Sequence, residues 1–365
     1  MLLFAASALS LLPLAFLVMG QWRFARRRDR GANPVTCPPL SVVIAAKDEA
    51  HNLPALLDAL RDQDYPAPYE VILVLDRCRD DSEVIARARP DGHLRVHAIY
   101  ELPAGWTGKK WALEQGIQAA KYPHLAFTDA DCLPETSWLH GLGKQFARGY
   151  EVVLGLGLYR RRIHLLNYLV QYETHLTALT YLGLASWGYP YMGVGRNLGY
   201  TREFYQRAGG MTPIADRLSG DDDLLIDRHA RTARTGWMTE PGTRTWSEAP
   251  PDWKSWWHQK IRHLSAGTSY QVPTQLILFA LNAALGIFYL SLGIVLCSKW
   301  PLEAELWGLI ILRYGTGSWL LTRGYRFKLP RQIALLFPLL EVMYLLYLLI
   351  LVPASLILKP KWRGK

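Results

Sequence analysis

Two hydrophobic patterns alternate along the 365-residue chain, and the switches between them divide it. Residues 1–22 carry no charge, and about 20 apolar residues suffice to cross a bilayer. Near the other end, residues 264–298 are uncharged and hold one span, about 275–297. A second apolar stretch, 306–321, is interrupted by Arg313; a third, 333–358, contains Glu341, Pro338 and Pro353. Between these ends, short β-branched runs alternate with helical periods. Strands are expected at 40–45, 70–75, 94–100 and 125–128, and helices at 52–60, 82–88 and 111–121. Near-continuous apolar strands separated by helices predict a buried, mostly parallel sheet with helices on both faces. The expected division is an N-terminal transmembrane helix (1–22), one α/β domain (38–267) and a C-terminal membrane region of two to three spans (275–358).

Composition sharpens this picture. Half the residues are hydrophobic and 20% are charged, which excludes a disordered chain or a nucleic-acid-binding tail protein. The charged central block excludes a polytopic transporter. The net charge of +10 is concentrated beside the apolar segments, at Arg23, Arg26, Arg27, Arg28 and Arg30 and again at Arg323, Arg326, Lys328 and Arg331. Anionic lipid headgroups are therefore the expected polyanion, and no nucleic acid is. A cleaved signal peptide would carry its positive charge before the apolar run, whereas these arginines follow it. The positive-inside rule then puts the N-terminus outside and the α/β domain in the cytoplasm, as in a multi-pass protein of the bacterial inner membrane. Three C-terminal spans would put the basic tail 359–365 outside, so one segment is expected to be re-entrant or interfacial. Arg313 and Glu341 are either an interhelical pair or part of a lipid path. Cys37, Cys78, Cys132 and Cys297 have no paired spacing, so neither a zinc site nor a disulfide framework follows.

The candidate chemistry lies where strands end. Lys47, Asp48 and Glu49 follow the first strand, Asp76 the second, and Asp129 and Asp131 the fourth. Ligands of open α/β sheets bind beyond the carboxyl ends of strands. Carboxylates gathered there repel unless a divalent cation joins them. Singly, each is as readily a helix cap or turn former. With 17 aspartates in the chain, about one D-x-D arises by chance, so position must discriminate. Asp62 and Asp64 sit in a polar turn and should be solvated; Asp129 and Asp131 directly follow the apolar LAFT. In residues 105–110, a glycine followed by Lys109 opens a helix, an arrangement that suits a phosphate.

Taken in order, SVVIAAKDEAHNL, LDRCRDDSE, GWTGKKWALEQGI, FTDADC, YMGVGRNLGY, SGDDDLLIDR and WWHQKIRHLSAG resemble membrane-bound family 2 glycosyltransferases over about residues 41–267. The similarity is nearest to bacterial lipid glycosyltransferases of the carotenoid, hopanoid and ceramide-glucosyltransferase kind. It implies a GT-A nucleotide-sugar-binding domain, a nucleotide-sugar donor (usually UDP), a divalent metal (Mg or Mn) and inverting transfer. On this resemblance Ala46, Glu49 and Asp76 would line the nucleotide, with Lys109 near the uridine or diphosphate. Asp129 and Asp131 would take ribose, diphosphate and metal, and Asp222 would be the base. Gln259 and Arg262 would also serve the donor, while Asn197, Asp221 and His263 would face the acceptor. Where processive polysaccharide synthases carry tryptophan after Gln-x-x-Arg, this chain has His263, either a replacement for that ring or an interfacial residue beside Trp256 and Trp257, which read as membrane-interface anchors. The expected reaction is transfer of one sugar to a membrane lipid, with polysaccharide synthesis the alternative. A nucleotidyltransferase would need a glycine-rich basic loop where AAKDEAHN stands, and a non-enzymatic scaffold would need none of these aspartates.

Overall fold

The computed structural model describes residues 2–29, 36–89, 91–298, 302–322 and 330–358. Arg30, Arg323, Arg326, Lys328 and the basic tail 359–365 lie outside the described residues. In chain order the elements begin with α1 (Leu2–Asp29), β1 (Leu40–Ala46), α2 (Leu53–Arg61), β2 (Tyr69–Asp76), α3 (Ser82–Arg87), β3 (Leu94–Ile99) and α4 (Gly108–Ala119). They continue with β4 (His124–Phe127), β5 (Cys132–Pro134), α5 (Trp138–Ala147), β6 (Val152–Leu154), β7 (Gly157–Tyr159), α6 (Leu165–Ser186), β8 (Leu198–Thr201) and α7 (Arg202–Arg207). The remainder are α8 (Asp223–His229), β9 (Thr235–Trp237), β10 (Thr245–Ser247), α9 (Trp253–Gly267), α10 (Val272–Ser298), α11 (Ala304–Thr322), α12 (Arg331–Leu335) and α13 (Phe337–Ile357). They fall into two compact units: α1, α6 and α9–α13 form one, and all the strands with the other helices form the second.

The second unit is built on a seven-stranded sheet, ordered β3-β2-β1-β4-β8-β6-β9. β3, β2, β1 and β4 run parallel, while β8 runs antiparallel to both its neighbours. Leu40 pairs with Tyr69 on one side and His124 on the other, so β1, β2 and β4 deliver their carboxyl ends to one rim. Both faces of β1 are covered, which is why its sequence is apolar without alternation. Val42 and Ile44 join Leu53, Leu56, Leu57 and Leu60 of α2 and Trp138, Leu139 and Leu142 of α5. On the opposite face α4 approaches so closely that a Cβ on Gly116 would lie 2.5 Å from Val43. A smaller sheet, β5-β10-β7, completes the unit.

In the helical unit, α1 packs against α6, α10 and α11, and α13 against α6 and α9. Among the described residues, three helices are long and apolar enough to cross a membrane: α1 over Leu2–Arg26, α10 and α13. Arg313 and Glu341 form an interhelical pair, Nη1 to Oε2 at 2.6 Å and Nη2 to Oε1 at 3.0 Å. Tyr289 donates to the same carboxylate, and Arg313 Nε donates to Ser10. A second pair joins Lys260 to Glu173 at 2.6 Å, with the Tyr347 hydroxyl donating to Glu173.

The division differs from the continuous domain expected over 38–267, because α6 and α9 group with the helices. The reason lies in α6: Leu166, Leu169, Val170, Tyr172, Leu179, Tyr181 and Leu182 are all buried, in a helix that packs against α1 and α13. Trp256 likewise is no interfacial anchor. It is buried edge-on against Tyr347, with ring centroids 5.6 Å apart.

Candidate active site

The rim of the sheet collects polar groups because each parallel strand ends there in a turn to a helix. After β1 the chain turns through Asp48, at φ 55°, and after β2 through Arg77, at φ 50°. Glu49 is fixed twice: its carboxylate accepts from Asn52 at 2.6 Å and its backbone N–H donates to Ser82 Oγ at 2.9 Å. Partial burial pushes Glu49 upward, the Asn52 bond opposes this, and the charges of Asp131 and Asp129 add to the rise. Asp76 is buried and accepts from Arg77 Nε at 2.7 Å. A Cβ on Gly108 would meet Asp76 Oδ2 at 2.0 Å, so only glycine lets the first turn of α4 come against that carboxylate. Ala46 is buried, and its carbonyl accepts from the Cys78 thiol at 3.7 Å.

Lys109, on that first turn, reaches two distant segments at once. Its Nζ lies 2.9 Å from Asp129 Oδ1, after β4, and 2.8 Å from Asp221 Oδ2, before α8. Burial opposes its charge, but Asp129, Asp221 and Asp222 together hold the ammonium well above its ordinary value. Asp129, Asp131 and Cys132 present ligand atoms all within 4.8 Å of one another. The buried Cys132 thiol is pushed up by desolvation and by Asp131, to which it donates at 3.4 Å, and sulfur is in any case a poor ligand for a hard cation such as Mg. Two adjacent carboxylates remain, an oxygen-only set that fits Mg or Mn. The cluster Asp48, Cys78 and Asp80 is similarly tight, but its carboxylates already accept from the backbone of Arg79, Ala50 and Ser82.

Asp222 stands at the N-cap of α8, where it accepts from the Asp223 N–H at 2.9 Å and from the Gly195 N–H at 2.6 Å. The cap of this helix is thus the residue assigned as the base. Desolvation, with Asp221 and Asp223 on either side, pushes Asp222 up to about 8. Against desolvation, Lys109 and Lys110 hold Asp221 down at about 2. Neighbouring carboxylates driven this far apart take different roles: Asp221 a permanent anion, Asp222 a group that exchanges a proton near neutrality.

Asn197, expected at the acceptor, is fully buried instead. Its amide donates to the carbonyls of Leu156 and Thr243 and accepts from Trp138 Nε1 at 3.0 Å, so it ties both sheets together. From the same loop it is the Gly195 backbone that reaches Asp222. Gln259, Arg262 and His263 lie on α9, in the helical unit. Asp62 and Asp64 are exposed, as their polar turn suggested.

Two cations beside the cluster went unread in the sequence. Lys110, 1% exposed, donates to the carbonyls of Arg217 and Ser219 and so holds the segment leading to Asp221. Arg196 stacks on Tyr159, donates to Ser247 and Gly157, and sets its charge beside Asp131. The arginine stood in the quoted YMGVGRN motif; nothing in the pattern marked the lysine as buried.

Strand-end carboxylates with a lysine among them thus lie on a parallel sheet that holds one antiparallel strand, β8. Residues 41–200 match the family described as glycosyl transferase family 2. The chain is 32% identical over 124 residues to glycosyltransferase AglE of Haloferax volcanii, covering 34% of this chain and 38% of that one. It is 25% identical over 271 residues to the probable glycosyltransferase YdaM of Bacillus subtilis, covering 70% and 63%. The chain therefore spans less than two thirds of the length of either relative. Among solved structures, mannosyltransferase PcManGT from Pyrobaculum calidifontis, in complex with GDP-Man and Mn2+, superposes with a TM-score of 0.53 at 18% identity, covering 94% of this chain and 99% of that one. Residues 41–200 are thus similar to glycosyl transferase family 2, and the fold is of the GT-A kind.

Proposed function

We infer that this protein is an inverting glycosyltransferase that moves a sugar from a nucleotide-sugar donor to a membrane lipid. The observation that carries the reading is the Lys109 bridge: one ammonium joins Asp129 at the donor rim to Asp221 beside the base, residues 92 positions apart in the chain. Donor charge and acceptor base thus belong to one centre.

In this reading Asp129 and Asp131 hold a divalent metal, and that metal, when bound, neutralises charge on the departing diphosphate. Glu49 and Asp76 address the nucleotide. Asp222 accepts the proton of the acceptor hydroxyl as its oxygen bonds to the anomeric carbon and the bond from that carbon to the diphosphate oxygen breaks. A value near 8 suits a base working near neutral pH. Lys109 adds positive charge for the leaving group; on the sequence resemblance, Gln259 and Arg262 would serve the donor and His263 the acceptor. UDP is the assigned nucleotide on sequence resemblance; the GDP-Man of the Pyrobaculum enzyme makes GDP the comparison to run beside it.

The lipid acceptor is supported by the helical unit. Large apolar side chains such as Phe279, Leu290, Ile311 and Leu349 face outward there, as lipid-contacting residues do. Three apolar helices among the described residues offer little for a polysaccharide-conducting channel, which favours single transfer to a lipid. Arg23 and Arg26 at the end of α1 favour a cytoplasmic α/β domain in a bacterial cell membrane, where nucleotide sugars are made.

The test is full-length protein in lipid nanodiscs, given labelled UDP- and GDP-sugars with lipid extract, with the product's anomeric configuration read by NMR. An inverted glycolipid supports the reading. A retained configuration rejects the Asp222 mechanism, and a lengthening glycan chain rejects the single-transfer acceptor. Mass spectrometry of host lipids with and without the protein then identifies the acceptor.

A further inference from the structure

The Lys109 bridge has a second meaning, which rests on the donor-site reading above. Its ammonium sits on Asp129, the same carboxylate assigned to the metal, and on Asp221, while Asp131 and Asp222 add negative charge around it. Arg196 beside Asp131 and Lys110 near Asp221 also bring positive charge, but it is Lys109 that pairs directly with the metal-assigned Asp129. A divalent ion arriving on Asp129 and Asp131 would find a cation already paired with one of its ligands, and like charges so close repel strongly.

We propose that Lys109 is an internal competitor of the metal, and that the nucleoside diphosphate relieves the competition. Lys109 keeps Asp221, which is 12% exposed and strongly ionised, and releases the more exposed Asp129 at 34%. The diphosphate supplies the anion that the released ammonium then pairs with, close to the first turn of α4. Lys110 cannot take that place, because its ammonium is committed to the Arg217 and Ser219 carbonyls. Metal and nucleotide consequently bind as a set: the metal alone binds weakly, each strengthens the other, and the coupling is reciprocal. The device keeps the site from holding a metal with no donor present.

The measurement is Mn2+ binding to the full chain in nanodiscs, by loss of the free-ion EPR signal, alone and with UDP or GDP. Wild type should bind Mn2+ weakly alone and at least about tenfold more tightly with nucleotide. Lys109→Met should bind Mn2+ alone about tenfold more tightly than wild type and lose most of the nucleotide enhancement. Lys109→Arg retains a cation and should behave like wild type, which separates charge from a folding defect. Asp131→Ala should abolish binding in every background. If Lys109→Met binds Mn2+ alone no better than wild type, or wild type binds it equally well without nucleotide, the competition does not exist. If Mn2+ binds neither protein even with nucleotide, the metal site itself is misplaced and the donor reading fails with it.

Discussion

Each unit gathers charge away from water, but the two do it in opposite ways. In the helical unit, Arg313 and Glu341 meet one to one, bidentate, with Tyr289 and Ser10 using the remaining valences. At the sheet rim, Asp129, Asp131, Asp221 and Asp222 crowd around Lys109, with Lys110 near Asp221 and Arg196 near Asp131, four carboxylates against three cations. The first arrangement is closed and asks for nothing further. The second is short of positive charge, and that shortage is what makes it a binding site. Charge burial by itself therefore does not mark function; imbalance does.

The strongest test of the open side is Asp222→Asn, which keeps size and hydrogen bonding but cannot accept a proton. Transfer should fall by about two to four orders of magnitude, the usual worth of a general base, with donor binding intact by calorimetry. Asp223→Asn should be far milder. The strongest test of the closed side is Glu341→Ala. Leaving Arg313 buried without its partner should cost about 3–5 kcal/mol, read as lost thermal stability in detergent. Replacing both by Met and Leu should recover most of it. A full rate at Asp222→Asn, or an unmoved melting temperature at Glu341→Ala, would erase the contrast.

A smaller effect follows from pH. Transfer should rise as pH climbs towards about 8, where Asp222 loses its proton, and Asp222→Asn should lose that limb. Stability should move the other way. The folded value of Asp222 lies above the roughly 4 of an unfolded aspartate, so between these two pH values the unfolded chain holds fewer protons and the folded state weakens as pH rises. The melting temperature of wild type should drop more than that of Asp222→Asn across this window. The least effect is expected at Asp62 and Asp64, exposed in a turn, where Asn substitution should change stability by less than about 0.5 kcal/mol and leave transfer unchanged.

The same contrast explains what sequence could and could not show. β1, expected at 40–45, spans Leu40–Ala46, and β2, expected at 70–75, spans Tyr69–Asp76, because strands buried on both faces leave an unbroken apolar run. The carboxylates beyond them were legible by position for the same reason. Lys110 was not, since a lysine beside another lysine reads as solvated until the carbonyls of Arg217 and Ser219, about 110 residues away, close on it. Asn197, assigned to the acceptor by resemblance alone, gave no sign in the sequence that its amide binds Leu156, Thr243 and Trp138. α6 went unread because its buried polar positions, Asn167, Gln171, Glu173 and His175, break any amphipathic stripe.

The route of the chain through α6 bears on how the protein is made. Asp129 emerges from the ribosome before α6, and Asp221 after it, so the α/β unit is left half built while a helix belonging to the other unit is synthesised. Until β8 arrives, β4 and β6 lack the strand that joins them, and Asn197 is not yet there to bond Trp138. Domains generally consolidate as they are translated, but this one must wait for some sixty further residues beyond residue 160 before its acidic centre can close. A nascent chain stalled at residue 200 should consequently remain open to protease, while one stalled well past residue 250 should resist it.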